Sequence, residues 1–269
     1  MTKEEINKKI FELKTDEEIE KFVQYRIQEL ENESVEKTVG QGYTDSFKDY
    51  ISSKIHYKPA SKFSDGECPD LVYDDITPYI NLIKSIKESS WYNEMTLFST
   101  IFFEIHDYLP SNDIGFGRYM TYSSHVNDKL SIKEVKKEEI AFCSEKSGLS
   151  HNMFKFLGID SELVCGKRNE EMHAYNLIYP KGYNNSPAVL YDPSFFVSFT
   201  DDNNKYSFGY YKVLTDEEKE DLLKDKTVKM ELSKTENNYR KYYNLDEDLK
   251  FEADLPEYTY GINNAKKMK

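Results

Sequence analysis

Three residues in this chain have types and spacing that could perform acyl transfer together. Cys143 is followed by Ser144, Ser147, Gly148 and Ser150, small residues that let a helix approach a sheet closely. Leu149, Met153, Phe154 and Leu157 supply an apolar stripe behind them, and the spacing predicts a helix over 141–157. A thiol at a helix start sits in the positive end of the helix dipole, which favours thiolate. The unpaired amides there can also stabilise a developing oxyanion. Taken alone, a cysteine in this place is more often an ordinary buried residue.

Two further elements supply the partners such a thiol needs. Glu162–Gly166 reads as a strand, Lys167–Glu171 as a charged loop, and Met172–Tyr179 as the return strand. Side chains alternate along a strand, so His173, Tyr175 and Leu177 share one face, taken as the core side, where His173 can meet a helix packed on the sheet. Ala188–Tyr191 reads as the next strand, and Asp192 closes it just before Pro193. A meander places Asp192 beside His173. A carboxylate on one ring nitrogen fixes the tautomer and leaves the other nitrogen for the thiol. The plain alternatives are a core histidine bonded to backbone and an Asp-Pro turn initiator.

These residues resemble the transglutaminase-like superfamily, with its papain-like Cys–His–Asp arrangement. The likeness is carried by Phe142-Cys143, Leu157-Gly158-Ile159, Val164-Cys165-Gly166, His173-Ala174-Tyr175-Asn176 and Tyr191-Asp192-Pro193-Ser194. In that family a cysteine opens the central helix, a Gly-Ile ends it, a strand leads to a glycine, a His-Ala-aromatic-Asn strand supplies the base and Asp-Pro-Ser/Thr the acid. The likeness covers roughly residues 95–200, with Tyr175 where the family often has tryptophan. It implies a cysteine-dependent amide or peptide hydrolase working through a thioester, with Cys143, His173 and Asp192 as its triad, no cofactor and no metal. The alternatives are an acyltransferase with an amine acceptor and a non-catalytic peptide-binding module on the same fold.

A zinc reading uses some of the same residues, since Cys143 and His151 are eight apart, as are Cys165 and His173. Positions eight apart on a helix lie about 12 Å apart along the axis and about 80° apart in direction, a poor fit to one small ion. Cys165 reads as structural, and Asp160 as a carboxylate at the exposed end of the helix. A second oxyanion donor could come from Tyr119, Tyr122, His125 or Asn127 in the loop-like stretch 118–129. His56, His106 and His125 otherwise read as solvent-facing.

The elements that must hold the triad give an α+β fold: a Cys143-bearing helix on an antiparallel sheet, with a helical N-terminal extension. Thr15-Asp16-Glu17-Glu18 and Thr215-Asp216-Glu217-Glu218 are capping boxes that predict helix starts. Ile19, Phe22, Val23, Ile27 and Leu30 then recur at helical steps, after a shorter run of Ile6, Ile10 and Leu13. Residues 58–70 read as a connector, and 76–109 as two helices broken near Ser89-Ser90. Three regions are expected: 1–75 as the helical extension, 76–214 as the catalytic core, and 215–269 as a helix with a tyrosine-rich extension packed on the core.

The net charge of −13 argues against nucleic acid and anionic membrane surfaces as partners and fits neutral or cationic ones; the resemblance implies a peptide or protein substrate. No apolar run approaches the roughly 18 residues of a membrane span, and the polar start lacks the apolar stretch of a signal peptide. With only Cys68, Cys143 and Cys165, a reduced, cytoplasmic setting is expected.

Overall fold

The computed structural model describes residues 1–39, 75–88, 94–109, 136, 141, 143–182, 187–200, 205–230, 250–252 and 255–260. Local signals start its helices. Thr2 and Glu5 form a reciprocal cap on α1 (Lys3–Glu12). At α2 (Asp16–Val39) the Thr15 hydroxyl accepts from the Glu18 amide and Glu18 accepts from the Thr15 amide, both at 3.2 Å. The expected stripe Ile19, Phe22, Val23, Ile27 and Leu30 is buried. Helices α3 (Thr77–Glu88) and α4 (Glu94–Tyr108) flank the expected break. Helix α5 (Cys143–Phe156) carries the thiol at its first residue.

Helix α5 ends at Gly158, whose φ of +72° suits glycine. A side chain there would also come within 2.9 Å of Ile6 and the Lys3 backbone. Arg26 of α2, itself buried, donates to Phe156 O at 3.0 Å and to Lys155 O at 3.1 Å. The two N-terminal helices thus hold the C-terminal end of α5, opposite the end that bears Cys143.

The chain then runs through β1 (Asp160–Arg168), β2 (Glu171–Tyr179), β3 (Val189–Thr200), β4 (Lys205–Val213), α6 (Asp216–Leu223), β5 (Val228–Lys229), β6 (Lys250–Glu252) and β7 (Glu257–Thr259). Among the described residues six helices pack with one antiparallel sheet of order β4-β3-β2-β1-β7-β5, with β6 paired to β3. The mixed α and β class matches the expectation. Two strand readings need correction. The β3 strand does not stop at Tyr191 but runs to Thr200, because its register against β4 shifts between Asp192 and Phe196. Such a bulge tolerates Pro193, which has no amide to donate. Asp160 begins β1 rather than ending the helix, and is exposed.

The capping box at Thr215 does open α6. The connector 58–70, Cys68, His56 and the 118–129 stretch lie outside the described residues. Among the described residues no helix is long and apolar enough to cross a membrane.

Candidate active site

Side-chain alternation sorts the sheet residues onto two faces. On the α5 side, Asn176 donates to Ser147 O at 3.0 Å and accepts from the Ser150 hydroxyl. Its cross-strand partner Tyr191 packs on Phe98 and Phe154 of α4 and α5. His173 and Asp192 belong to the alternate set and therefore face away from the flank of α5. The group on α5 that His173 meets is Cys143, the first residue of the helix. The β2–β3 ladder covers only Asn176–Ile178 with Val189–Tyr191. Next to its end, the N-terminus of α5 brings Cys143 to the imidazole.

The three expected residues are brought together. The His173 ring and the Ala174 amide are the groups that favour the charged form of the Cys143 thiol at the start of α5. His173 Nε2 donates to Asp192 Oδ2 at 2.8 Å, which leaves Nδ1 for the thiol. Asp192 has no exposed surface. Its Oδ2 also accepts from Arg168 at 3.1 Å and from the Tyr258 hydroxyl at 2.7 Å. Its Oδ1 accepts from the Ser194 amide at 2.9 Å and hydroxyl at 2.7 Å. The Ser194 hydroxyl also lies 3.3 Å from His173 Nε2.

These contacts set the charges. Burial pushes the Cys143 thiol up, but the hydrogen bond and charge of His173 and the Ala174 amide outweigh it, and the thiol lies below its ordinary value. Burial pulls His173 down, but the charge and hydrogen bond of Asp192, joined by Cys143, raise it to about 9. Burial opposes the Asp192 charge, yet His173, Arg168 and Ser194 hold its carboxyl well below the usual carboxylate range. The surroundings thus favour the thiolate of Cys143 beside an imidazolium on His173, backed by a carboxylate.

Several residues at the site were not foreseen. Arg168 and Tyr258 bond Asp192 from β1 and β7, and Ser194 does so from its own strand. His106 is a correction. It is half-buried rather than solvent-facing, donates from Nε2 to Pro193 O at 2.8 Å, and packs with its ring tilted against Phe102 at 4.3 Å. Its place next to Ile105 and one turn after Phe102 in the apolar stripe was the available signal. Lys146 of α5 is buried, lies 3.5 Å from His106 Nδ1, and is held below its ordinary value by burial despite the negative charges of Asp192, Glu145 and Cys143. Its signal was its place one turn after Cys143.

The two members of the helical zinc pair serve different partners, Cys143 with His173 and His151 with the Ser161 hydroxyl at 3.1 Å. Among the described residues no group of three His, Cys, Asp or Glu side chains could hold a metal ion. The candidate second oxyanion donors Tyr119, Tyr122, His125 and Asn127 lie outside the described residues. No family model, no curated protein and no solved structure matches this chain.

Proposed function

We propose that this chain is a cysteine-dependent amide or peptide hydrolase on a transglutaminase-like scaffold, with Cys143 as nucleophile, His173 as acid and base, and Asp192 as orienter. One observation carries the reading: His173 Nε2 donates to the buried Asp192 carboxylate at 2.8 Å, and the same ring is the partner that most lowers the Cys143 thiol. The order of cysteine helix, histidine strand and aspartate strand supports the scaffold.

The Cys143 thiolate attacks the carbonyl carbon, and amides at the start of α5 face the resulting oxyanion. The intermediate collapses as the His173 imidazolium gives its proton to the departing amine, leaving a thioester on Cys143. Neutral His173 then takes a proton from water as the water attacks. The acid product leaves, and the thiolate–imidazolium pair is restored. Asp192 holds the ring in place and stays ionised throughout.

The test is iodoacetamide labelling at about pH 6, well below the usual thiol value of about 8.5, followed by peptide mapping. Cys143 should label ahead of Cys68 and Cys165, and Cys143→Ala should abolish cleavage of a mixed peptide-amide library. Equal labelling of the three cysteines in the folded protein would rule the reading out. Adding a tagged primary amine separates outcomes, because its incorporation in place of hydrolysis would assign acyl transfer.

A further inference from the structure

The hydrolysis derived above makes no use of Tyr258, yet its hydroxyl is aimed at the centre of the polar cluster. Arg168, His173, Asp192 and Tyr258 come one each from β1, β2, β3 and β7, which are adjacent in the sheet order β3-β2-β1-β7. Arg168 and Tyr258 are cross-strand partners, so both stand on one face. The Tyr258 ring is fully buried and packs edge-on against Tyr175 at 5.2 Å.

The strand carrying this phenol is only three residues long, and specific contacts lock it to the β1–β2 hairpin. Gly166 lacks the Cβ that would come within 1.9 Å of Thr259 O. Tyr175 donates its hydroxyl to that same oxygen at 3.0 Å. Asn169 grips Glu257 twice, its amide donating to Glu257 O at 3.0 Å and its side-chain oxygen accepting from the Glu257 amide at 2.8 Å. Asn169 and Glu170 hold φ of 49° and 69°, the positive values that a two-residue hairpin turn requires. The tight turn thus presents Asn169 to β7.

We propose that Tyr258 is a positioning residue of this centre: with Arg168 it shares Asp192 Oδ2 with His173, and β7 is locked to the hairpin so that the phenol reaches that oxygen. The inference rests on the hydrolase reading of Cys143 and His173. Each added donor on Oδ2 draws negative charge away from the bond to Nε2. Asp192 then grips the imidazolium less tightly, and the ring gives up its proton to a leaving amine more readily. The groups that bear on this pair are Cys143 and Lys146 from α5, His106 from α4, Arg168 from β1, Ser194 from β3 and Tyr258 from β7.

The experiment is the rate of Cys143 alkylation by iodoacetamide in the full chain, from about pH 4 to about pH 11. The wild-type rate should rise twice, first as the thiolate–imidazolium pair forms and again as the imidazolium loses its proton. Tyr258→Phe keeps the ring on Tyr175 and removes only the donor. Its second rise should move upward by about half a pH unit or more, while a purely structural role would change the amplitude alone. Asn169→Gly keeps the positive φ and the amide but loses the side-chain grip on Glu257. It should move the second rise the same way by less, and it carries the test if Tyr258→Phe does not fold. Two rises in the wild type with no upward movement in the folded variants overturn this proposal alone. A single rise at an ordinary thiol value in the wild type overturns the hydrolase reading and this proposal with it.

Discussion

A carboxylate with no exposed surface needs its charge met on every side, and Asp192 receives five hydrogen bonds from four residues. Removing the charge while keeping the shape isolates what it does for His173. Asp192→Asn leaves the raised imidazolium and Arg168 without a buried counter-charge, so His173 should fall from its value of about 9. Alkylation of Cys143 at about pH 6 should then slow about tenfold or more. Asp160→Asn, at an exposed carboxylate beginning β1, should leave the rate unchanged. Equal losses in the two variants, or no loss in a folded Asp192→Asn, would reduce Asp192 to a turn residue. Cys143, His173 and Asp192 were legible because each stands at a position whose local geometry has a chemical meaning: a helix start, a strand beside a charged turn, and a residue before proline. Tyr258 was not, because nothing local to it says which strand edge its segment will join, 66 residues from Asp192.

Helix α5 is held at both ends by different parts of the chain. At its N-terminal end Cys143 meets β2. At its C-terminal end the Arg26 guanidinium satisfies the last carbonyls, with Glu29 as counter-charge at 2.7 Å. A cation in that place also favours the negative end of the helix dipole. Arg26→Met keeps the buried stem and removes the donors, so it should lower stability by about 2 kcal/mol, read as the urea midpoint. The alkylation rate of the folded variant at Cys143 should not change. A changed rate would mean that the N-terminal helices govern the thiol as well as brace its helix. The helices themselves were readable, since capping boxes and apolar spacing are local signals and their stripes are buried as expected. Strand ends were less so. Pro193 marked an expected stop at Asp192, but the β4 partner, Lys205–Val213, absorbs the irregularity as a register shift, and cross-strand pairing of that kind leaves no trace in one strand's own sequence.

Across the whole molecule, two histidines set opposite pH limits on stability. His151 lies against the Ser161 hydroxyl, and burial, followed by the charge of Lys155, lowers it to about 3. In the unfolded chain it titrates near about 6.5. The unfolded state therefore binds more protons between those values, and stability falls as pH drops from about 6.5 toward 3. His173 has the other sign. Its stabilisation is fully present below about 6.5 and is lost as pH rises through about 9. Melting followed from pH 7 down to pH 4 should show a smaller loss for His151→Gln, which can still bond Ser161 but cannot titrate, than for the wild type. Identical losses would refute a neutral imidazole at His151 in the folded protein. The sheet order also has a consequence in time. The hairpin β1–β2 forms from neighbours in sequence, whereas Asn169 must wait for Glu257, 88 residues further on. Closing so long a loop is slow compared with zipping a hairpin, and synthesis delivers the N-terminal segments first. On a ribosome the thiol, the imidazole and the carboxylate emerge well before the phenol that completes the carboxylate's surroundings, so the nascent chain carries a half-furnished centre until β7 arrives.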